Sequence, residues 1–334
     1  MIASKEPKIC IMGGGSWATA LAKIVMENGS HINWYMRRQE QIDKFKETGF
    51  NPSYLSTIRF DIRKIKFYSN INQAVRYSDI LLLAMPSPFL KMHLQKLSAD
   101  ISDKRVISAI KGIVPDENMV ITDYLQQYYG VKEENVAVIA GPCHAEEVSS
   151  ERLSYLTVAS PNSEYAQYVA DRIRSRFLKT TIASDVRGIE YASVLKNVYA
   201  IVAGICHGLK YGDNFQAILV SNSIREMRRF VDAIVPDKSR NVQDAAYLGD
   251  LLVTAYSHHS RNRIFGNMVG QGYSVRSSQL EMQMVAEGYY GTKCIKEIND
   301  ELKVDMPILD ACYNILYERI APSIEIELLT EKIG

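Results

Sequence analysis

Short apolar runs separated by helix-period segments fill the first half of the chain. Lys8–Met12, His31–Met36, Lys66–Ser69, Ile80–Met85, Val106–Ile110, Val136–Ile139, Tyr155–Ala159 and Thr180–Ile182 read as strands. Most of them hold too few polar positions to leave either face in water, as in strands of a parallel sheet covered on both sides. Strand alternating with helix predicts an α/β layer, a parallel sheet wrapped by helices. After about Asp185 the period changes: apolar residues recur at three- and four-residue spacing, with scarcely a β-branched run from Gly188 onward. Helices are expected at Gly188–His207, Asn214–Val231, Asp244–Ser257, Glu287–Leu302 and Pro307–Ile320. The pattern therefore divides the chain into an α/β domain over residues 1–185 and an all-α domain over 186–334. With no low-complexity tract or long linker between them, the two are expected to pack closely and share a cleft.

The first strand runs into Met12-Gly13-Gly14-Gly15-Ser16-Trp17-Ala18 and an apolar helical repeat. Strand, glycine turn and helix start in this order are the dinucleotide-binding unit of a Rossmann-like domain. Gly13 permits the turn, Gly15 lets the backbone approach a pyrophosphate, and small Ala18 lets the helix lie against the strand. The free N–H groups at the helix start face the phosphates. The second strand ends near Met36, where an acidic residue would accept hydrogen bonds from the adenosine ribose. This chain has Arg37 and Arg38 instead, and guanidinium groups suit a ribose 2′-phosphate, so NADPH is predicted to bind at least as well as NADH.

Lys196 is the candidate for proton transfer. Three and four residues away stand Ala192, Ser193, Tyr199 and Ala200, so the amine rides on a small, largely apolar stripe with no local carboxylate. Burial of that stripe, or a second cation nearby, favours the neutral amine and brings it toward the range useful near neutral pH. Lys111 directly follows the strand Val106–Ile110, at the strand end where ligands bind in this architecture. Further on, Asp250 and Thr254 stand one helical turn apart and could orient an amine. Ser260-Arg261-Asn262 looks like a cap opening a helix, and the cap, the helix dipole and the Arg261 fork together make a phosphate-sized site.

The bulk composition narrows the partners. At 334 residues the chain exceeds what one core usually supports, in line with two domains. Its 39 basic and 38 acidic side chains leave no global field to recruit nucleic acid or an anionic membrane, so an anionic ligand has to be held by a local cluster of cations. Five scattered cysteines argue against a disulfide framework and for a reducing compartment. His258 and His259 lack partners at metal-ligand spacing. The longest apolar stretches, around Ile80–Met85 and Val198–Cys206, fall short of the ~20 residues of a spanning helix. Gly13-Gly14-Gly15 interrupts the N-terminus where a signal peptide would run on. A cytoplasmic protein with no membrane insertion is the expectation.

Taken together, GGGSWATALA at Gly13–Ala22, Lys111-Gly112-Ile113, Ala140-Gly141-Pro142, Leu195-Lys196-Asn197-Val198, Leu248-Gly249-Asp250-Leu251, Ser260-Arg261-Asn262-Arg263 and Glu287-Gly288 resemble the bacterial-type NAD(P)-dependent glycerol-3-phosphate dehydrogenases over nearly the whole chain. The resemblance implies a metal-free reduction of dihydroxyacetone phosphate to sn-glycerol 3-phosphate, with a role in glycerophospholipid synthesis. It implies that Lys196 is the general acid/base, that Lys111 contacts substrate and cofactor, and that Asp250 lies beside the catalytic lysine, with Thr254 in support. Gly141, Cys143, Ser260, Arg261 and Asn262 would bind the glycerol phosphate, Arg261 also meeting the cofactor. Ser16, Trp17, Arg37, Arg38, Ala145, Val285 and Glu287 would line the nucleotide site beside Gly13 and Gly15. A homodimer is compatible with the resemblance, which leaves the oligomeric state open.

Two positions depart from the family: Cys143 and His144 stand where a hydroxyl residue and an aromatic usually follow Gly-Pro. A second enzymatic reading is a β-hydroxyacid dehydrogenase, but that family places an asparagine three or four residues after its lysine, where this chain has Tyr199 and Ala200. A non-catalytic nucleotide sensor would be favoured by loss of Lys196 or Asp250, and both are present.

Overall fold

A computed structural model describes residues 6–29, 31–282 and 285–334. Its first half contains β1 (Ile9–Met12), α1 (Ser16–Glu27), β2 (Ile32–Tyr35), α2 (Gln39–Thr48), β3 (Ile65–Tyr68), α3 (Ile71–Arg76), β4 (Ile80–Leu83), α4 (Ser87–Leu94) and β5 (Arg105–Ser108). There follow β6 (Ile113–Val114), β7 (Met119–Val120), α5 (Ile121–Tyr129), β8 (Val136–Ala140), α6 (Ala145–Ser149), β9 (Ser154–Ala159), α7 (Ser163–Ile173) and β10 (Leu178–Ala183). The second half is helical: α8 (Val186–Gly208), α9 (Asp213–Ile234), α10 (Asp250–Tyr256), α11 (Arg261–Gly270), α12 (Val275–Glu281), α13 (Glu287–Leu302), α14 (Pro307–Leu316) and α15 (Pro322–Thr330).

Each of the eight strand patterns is a strand, and together they form one sheet in the order β10-β9-β8-β5-β4-β1-β2-β3. Its pairs are parallel except one: β8 and β9 run antiparallel, against the expectation of a parallel sheet. The link between them explains the reversal. A parallel crossover usually needs a helix that carries the chain back along the sheet. Helix α6 has only five residues and turns the chain at the same edge. Helix α7 is long enough to cross back, and β9 and β10 are parallel again.

One apolar cluster lies on the face covered by α1 and α7, and another on the opposite face under α3, α4 and α5. The third is built around α8 and reaches the sheet through Val138, Ala140 and Ala159. Helix α8 is buried nearly all round, as an apolar helix at the centre of a domain should be. By length and composition it is also the one described helix apolar enough to cross a membrane, a reading the separate runs in the sequence did not reach; its apolar window is wholly buried inside the protein.

Glycine spacing sets how closely α8 meets α11. A Cβ on Gly204 would lie 2.1 Å from the Arg263 carbonyl oxygen, and one on Gly266 would lie 2.0 Å from that of Ile201. Both distances are far inside contact, so the two backbones meet with no side chain between them. That brings the start of α11, with Ser260 and Arg261, up against the helix carrying Lys196. Gly266→Ala is expected to lower the free energy of unfolding by about 3 kcal/mol, because neither backbone can yield. Chemical denaturation measures this, and stability within about 0.5 kcal/mol of wild type would contradict the close crossing.

The structure departs from the pattern in several places. The segment expected as one helix over Asp244–Ser257 starts as a π turn at Ala245–Gly249 and continues as α10. The helix expected to run to Ile320 stops at Leu316 and is followed by α15. The short helix α12 and the hairpin of β6 and β7 carry too few residues for a period to show.

Candidate active site

The C-terminal ends of β1, β4, β5 and β8 open onto a cavity of about 200 Å³ whose opposite wall is helical. Lys196 enters it from the middle of α8, buried by the neighbouring helices. Its counter-ion comes from far along the chain: Nζ donates to Asp250 Oδ1 at 2.5 Å and to Thr254 Oγ1 at 3.1 Å. The π turn delivers Asp250 to the start of α10, and Thr254 ties back to the Asp250 carbonyl at 2.6 Å. Lys111, just past β5, shares the same carboxylate at 3.0 Å and donates to the Gly141 carbonyl at 2.8 Å. Gly141 N donates to Asp250 at 3.3 Å.

Two cations thus share one buried carboxylate. Burial pulls the Lys196 amine down to about 7; Asp250 opposes this and the Lys111 charge adds to it. Burial also works against the Asp250 charge, but Lys111 and Lys196 outweigh it and hold the carboxyl below its ordinary range. The cluster therefore offers an amine able to gain or lose a proton near neutral pH, with a second cation beside it.

Past the end of α10, Ser260 caps α11 by accepting from Arg263 N at 3.3 Å. Arg261 projects from the first turn and donates to Ser16 Oγ at 2.8 Å, joining the helical half to the glycine turn. Asn262 donates to Asn197 at 2.9 Å and accepts from Gly288 N at 2.9 Å. Asn197 in turn donates to the Lys111 carbonyl at 2.7 Å. A chain of amides therefore fixes Lys111, α8, α11 and the start of α13 relative to one another.

On the sheet side, Gly13 has φ +135°, and a Cβ there would lie 2.7 Å from the Ala84 carbonyl oxygen. Its carbonyl accepts from Trp34 Nε1 at 2.7 Å, and that of Gly14 accepts from Asn51 at 3.2 Å. Gly15 differs: a Cβ would meet nothing within 4 Å. No side chain caps the first turn of α1, and Trp17 Nε1 is buried with no hydrogen-bond partner. An open glycine, uncapped helix N–H groups and an orphaned indole donor are what a dinucleotide pyrophosphate would fill, so the residues present fit that group.

The residues singled out in the sequence fall into three sets. Gly15, Ser16 and Trp17 line the cavity from the sheet side with Lys111, Cys143 and Ala145. Lys196, Asp250, Thr254, Ser260, Arg261 and Asn262 line it from the helical side, with Val285 and Glu287 at one end. Gly13 and Gly141 support this wall through backbone. Arg37 and Arg38 lie outside the cavity, exposed past the end of β2. Glu287 is already engaged: its carboxylate accepts from Ser87 N at 2.8 Å and Ser87 Oγ at 2.5 Å, and burial pushes it up to about 7. Cys143 carries a protonated thiol, which burial pushes up to about 12. Asn197 and Ser87 were not singled out; the one signal for Asn197 is a polar amide beside the lysine of an apolar helix.

Two family models divide the chain between them. The description "NAD-dependent glycerol-3-phosphate dehydrogenase N-terminus" matches residues 8–166, and "NAD-dependent glycerol-3-phosphate dehydrogenase C-terminus" matches residues 185–327. The chain is similar to the NAD(P)+ glycerol-3-phosphate dehydrogenase of Bacillus pumilus, 35% identical over 313 residues that cover 93% of this chain and 90% of the relative. Its likeness to that of Syntrophomonas wolfei is 34% over 313 residues, covering 93% and 91%. Among solved structures, the glycerol-3-phosphate dehydrogenase of Coxiella burnetii superposes with a TM-score of 0.89 at 27% identity, covering 97% of this chain and 99% of that one.

Proposed function

The chain belongs to the NAD-dependent glycerol-3-phosphate dehydrogenase family, and from that premise we propose how its own residues carry the reaction. The activity is the NAD(P)-dependent interconversion of dihydroxyacetone phosphate and sn-glycerol 3-phosphate, with a small phosphorylated triose as substrate. The observation that carries the residue assignment is the Lys196–Asp250–Lys111 cluster facing the glycine turn across one cavity, with Ser260 and Arg261 beside it.

When bound, the dinucleotide supplies the hydride that the substrate carbonyl carbon accepts. Gly13 and Gly15 at the start of α1 would hold its pyrophosphate, with Ser16, Trp17, Ala145, Val285 and Glu287 lining the same site. Arg261, Ser260 and Asn262 hold the substrate phosphate, converting encounter into alignment. Lys196, as the ammonium, gives its proton to the carbonyl oxygen as negative charge develops there. Lys111 stands beside it as the fixed positive charge on that oxygen. Asp250 and Thr254 aim the amine, and Gly141 and Cys143 form the wall behind the substrate. In the oxidative direction the neutral Lys196 amine takes the alcohol proton. Lack of turnover when the purified protein is given NADPH or NADH with dihydroxyacetone phosphate would defeat this assignment.

Residues 1–185 are taken as the nucleotide domain and 186–334 as the substrate and catalytic domain. Helix α8 begins just past the last strand, with Asp185 capping it through Gly188 N at 3.0 Å. A cytoplasmic enzyme that supplies glycerol phosphate to glycerophospholipid synthesis, working as a homodimer, completes the reading.

Arg37 and Arg38 carry the cofactor preference. Both are exposed at the end of β2 and in no ion pair among the described residues, so each guanidinium is free to meet a 2′-phosphate. Replacing both by alanine is expected to raise KM for NADPH roughly tenfold while leaving NADH within about twofold. Initial rates with each cofactor check this, and an unchanged NADPH-to-NADH ratio would remove the arginines from the site.

A further inference from the structure

One polar side chain lining the cavity, outside the mechanism above, holds a buried nitrogen without a partner. His144 opens α6 from the loop after β8, between Cys143 and Ala145, and lines the cavity. Its ring packs near that of His259, centroids 5.8 Å apart, and His259 in turn packs on His258 at 4.0 Å. Its Nε2 is buried with no hydrogen-bond partner. An unpaired buried nitrogen of this kind is costly, and a bound ligand group can pair with it. Trp17 Nε1 is the other orphan in the cavity, but it sits on the dinucleotide side, next to the glycine turn.

The chemistry of the ring limits what it can meet. Burial, then the positive charges of Lys196 and Lys111, pull the imidazole down to about 4, so it is neutral near pH 7. A neutral imidazole has one N–H and one lone pair; with the N–H on the Val253 carbonyl, Nε2 is left as an acceptor, which a donating hydroxyl suits. It is a poor match for a phosphate, and Arg261 is available for that. The loop that carries the ring shows which end of the substrate lies nearby: Gly141, three residues earlier, accepts from Lys111 at 2.8 Å and donates to Asp250 at 3.3 Å, so His144 stands at the carbonyl end. Dihydroxyacetone phosphate has three polar groups. Its carbonyl is assigned to Lys196 and Lys111 and its phosphate to Ser260, Arg261 and Asn262, which leaves the free hydroxymethyl group. The adjacent Cys143 thiol is only a weak hydrogen-bonding group.

Resting on the site reading under Proposed function, we propose that His144 recognises the free hydroxyl of the triose and makes the site selective for dihydroxyacetone phosphate over phosphorylated ketones that lack it. The probe is acetol phosphate, the same molecule with a methyl group in place of the hydroxymethyl. Wild type is expected to favour dihydroxyacetone phosphate by about tenfold or more in kcat/KM, the scale of one buried hydrogen bond left unmade. His144→Phe keeps an aromatic ring against His259 but has no nitrogen. It is expected to lose roughly tenfold on dihydroxyacetone phosphate and less than about twofold on acetol phosphate. His144→Gln, which offers an amide at similar reach, is expected to recover part of the preference.

A merely structural histidine would depress both substrates together in His144→Phe, and that outcome overturns the proposal, as does a glutamine variant that recovers nothing. Equal use of the two ketones by the wild type overturns it without any variant. Wild type inert toward both would instead overturn the site reading beneath it.

Discussion

Lys196→Ala is expected to lower kcat for dihydroxyacetone phosphate reduction by roughly three to four orders of magnitude, the range a positioned general acid contributes. Binding of NADPH, followed by fluorescence titration, should stay near the wild-type value, because no contact of the glycine turn involves this side chain. The variant is expected to fold. Asp250 is buried, and stripping its only partner would strand a charge at a cost of several kcal/mol. Here it has a second partner, since Lys111 remains at 3.0 Å and Gly141 N at 3.3 Å. Turnover within about tenfold of wild type would remove Lys196 from the proton-transfer role.

The same amine sets a pH dependence whose sign follows from its charge states. Reduction needs the ammonium. With the amine pulled down to about 7, its protonated fraction falls as pH rises through that value, so kcat/KM for reduction should fall above it. Oxidation of glycerol phosphate needs the neutral amine and should rise over the same window. Lys111→Met removes a neighbouring positive charge, which should move both profiles to higher pH. Profiles that stay in place in that variant would mean that Lys111 does not tune Lys196.

The sequence pattern carries the fold further than it carries the site, and the reason is range. Strands and long helices are local objects: all eight sheet strands show as apolar runs, and the helix Glu287–Leu302 has the bounds that its period suggests. The antiparallel β9 does not show, because strand direction depends on how far the intervening helix can carry the chain. The π turn before Asp250 is invisible for a related reason, as a period of 3.6 continues through it unbroken. Lys196 illustrates the limit at the site. A search at three and four residues rightly finds no carboxylate there, and its partner lies 54 residues away. Asp250 and Thr254 could be picked out as an amine-orienting pair from their own spacing. Nothing local says that Lys111 shares the carboxylate, or that Asn197 and Asn262 join amide to amide across 65 residues.

Arg261 spans the longest of these distances, and its removal is the other large effect expected. Arg261→Ala should lower kcat/KM for dihydroxyacetone phosphate by roughly two to three orders of magnitude, since a charge-assisted donor in a water-poor site is lost where the phosphate is held. The loss should depend on the phosphoryl group. With unphosphorylated dihydroxyacetone, which gives Arg261 no anion to hold, the variant should stay within about threefold of wild type. The hydrogen bond from Arg261 to Ser16 Oγ adds a second signature. Ser16 opens α1 at the pyrophosphate turn, so a guanidinium holding the substrate phosphate also steadies the helix start that receives the cofactor. KM for NADPH should therefore rise in Arg261→Ala, and by less in Ser16→Ala, which leaves the cation in place. Equal losses on the phosphorylated and unphosphorylated ketones would show that Arg261 serves the fold of the crevice rather than the anion. In that case the phosphate site at the start of α11 would have to be given up, while the proton chemistry at Lys196 would stand.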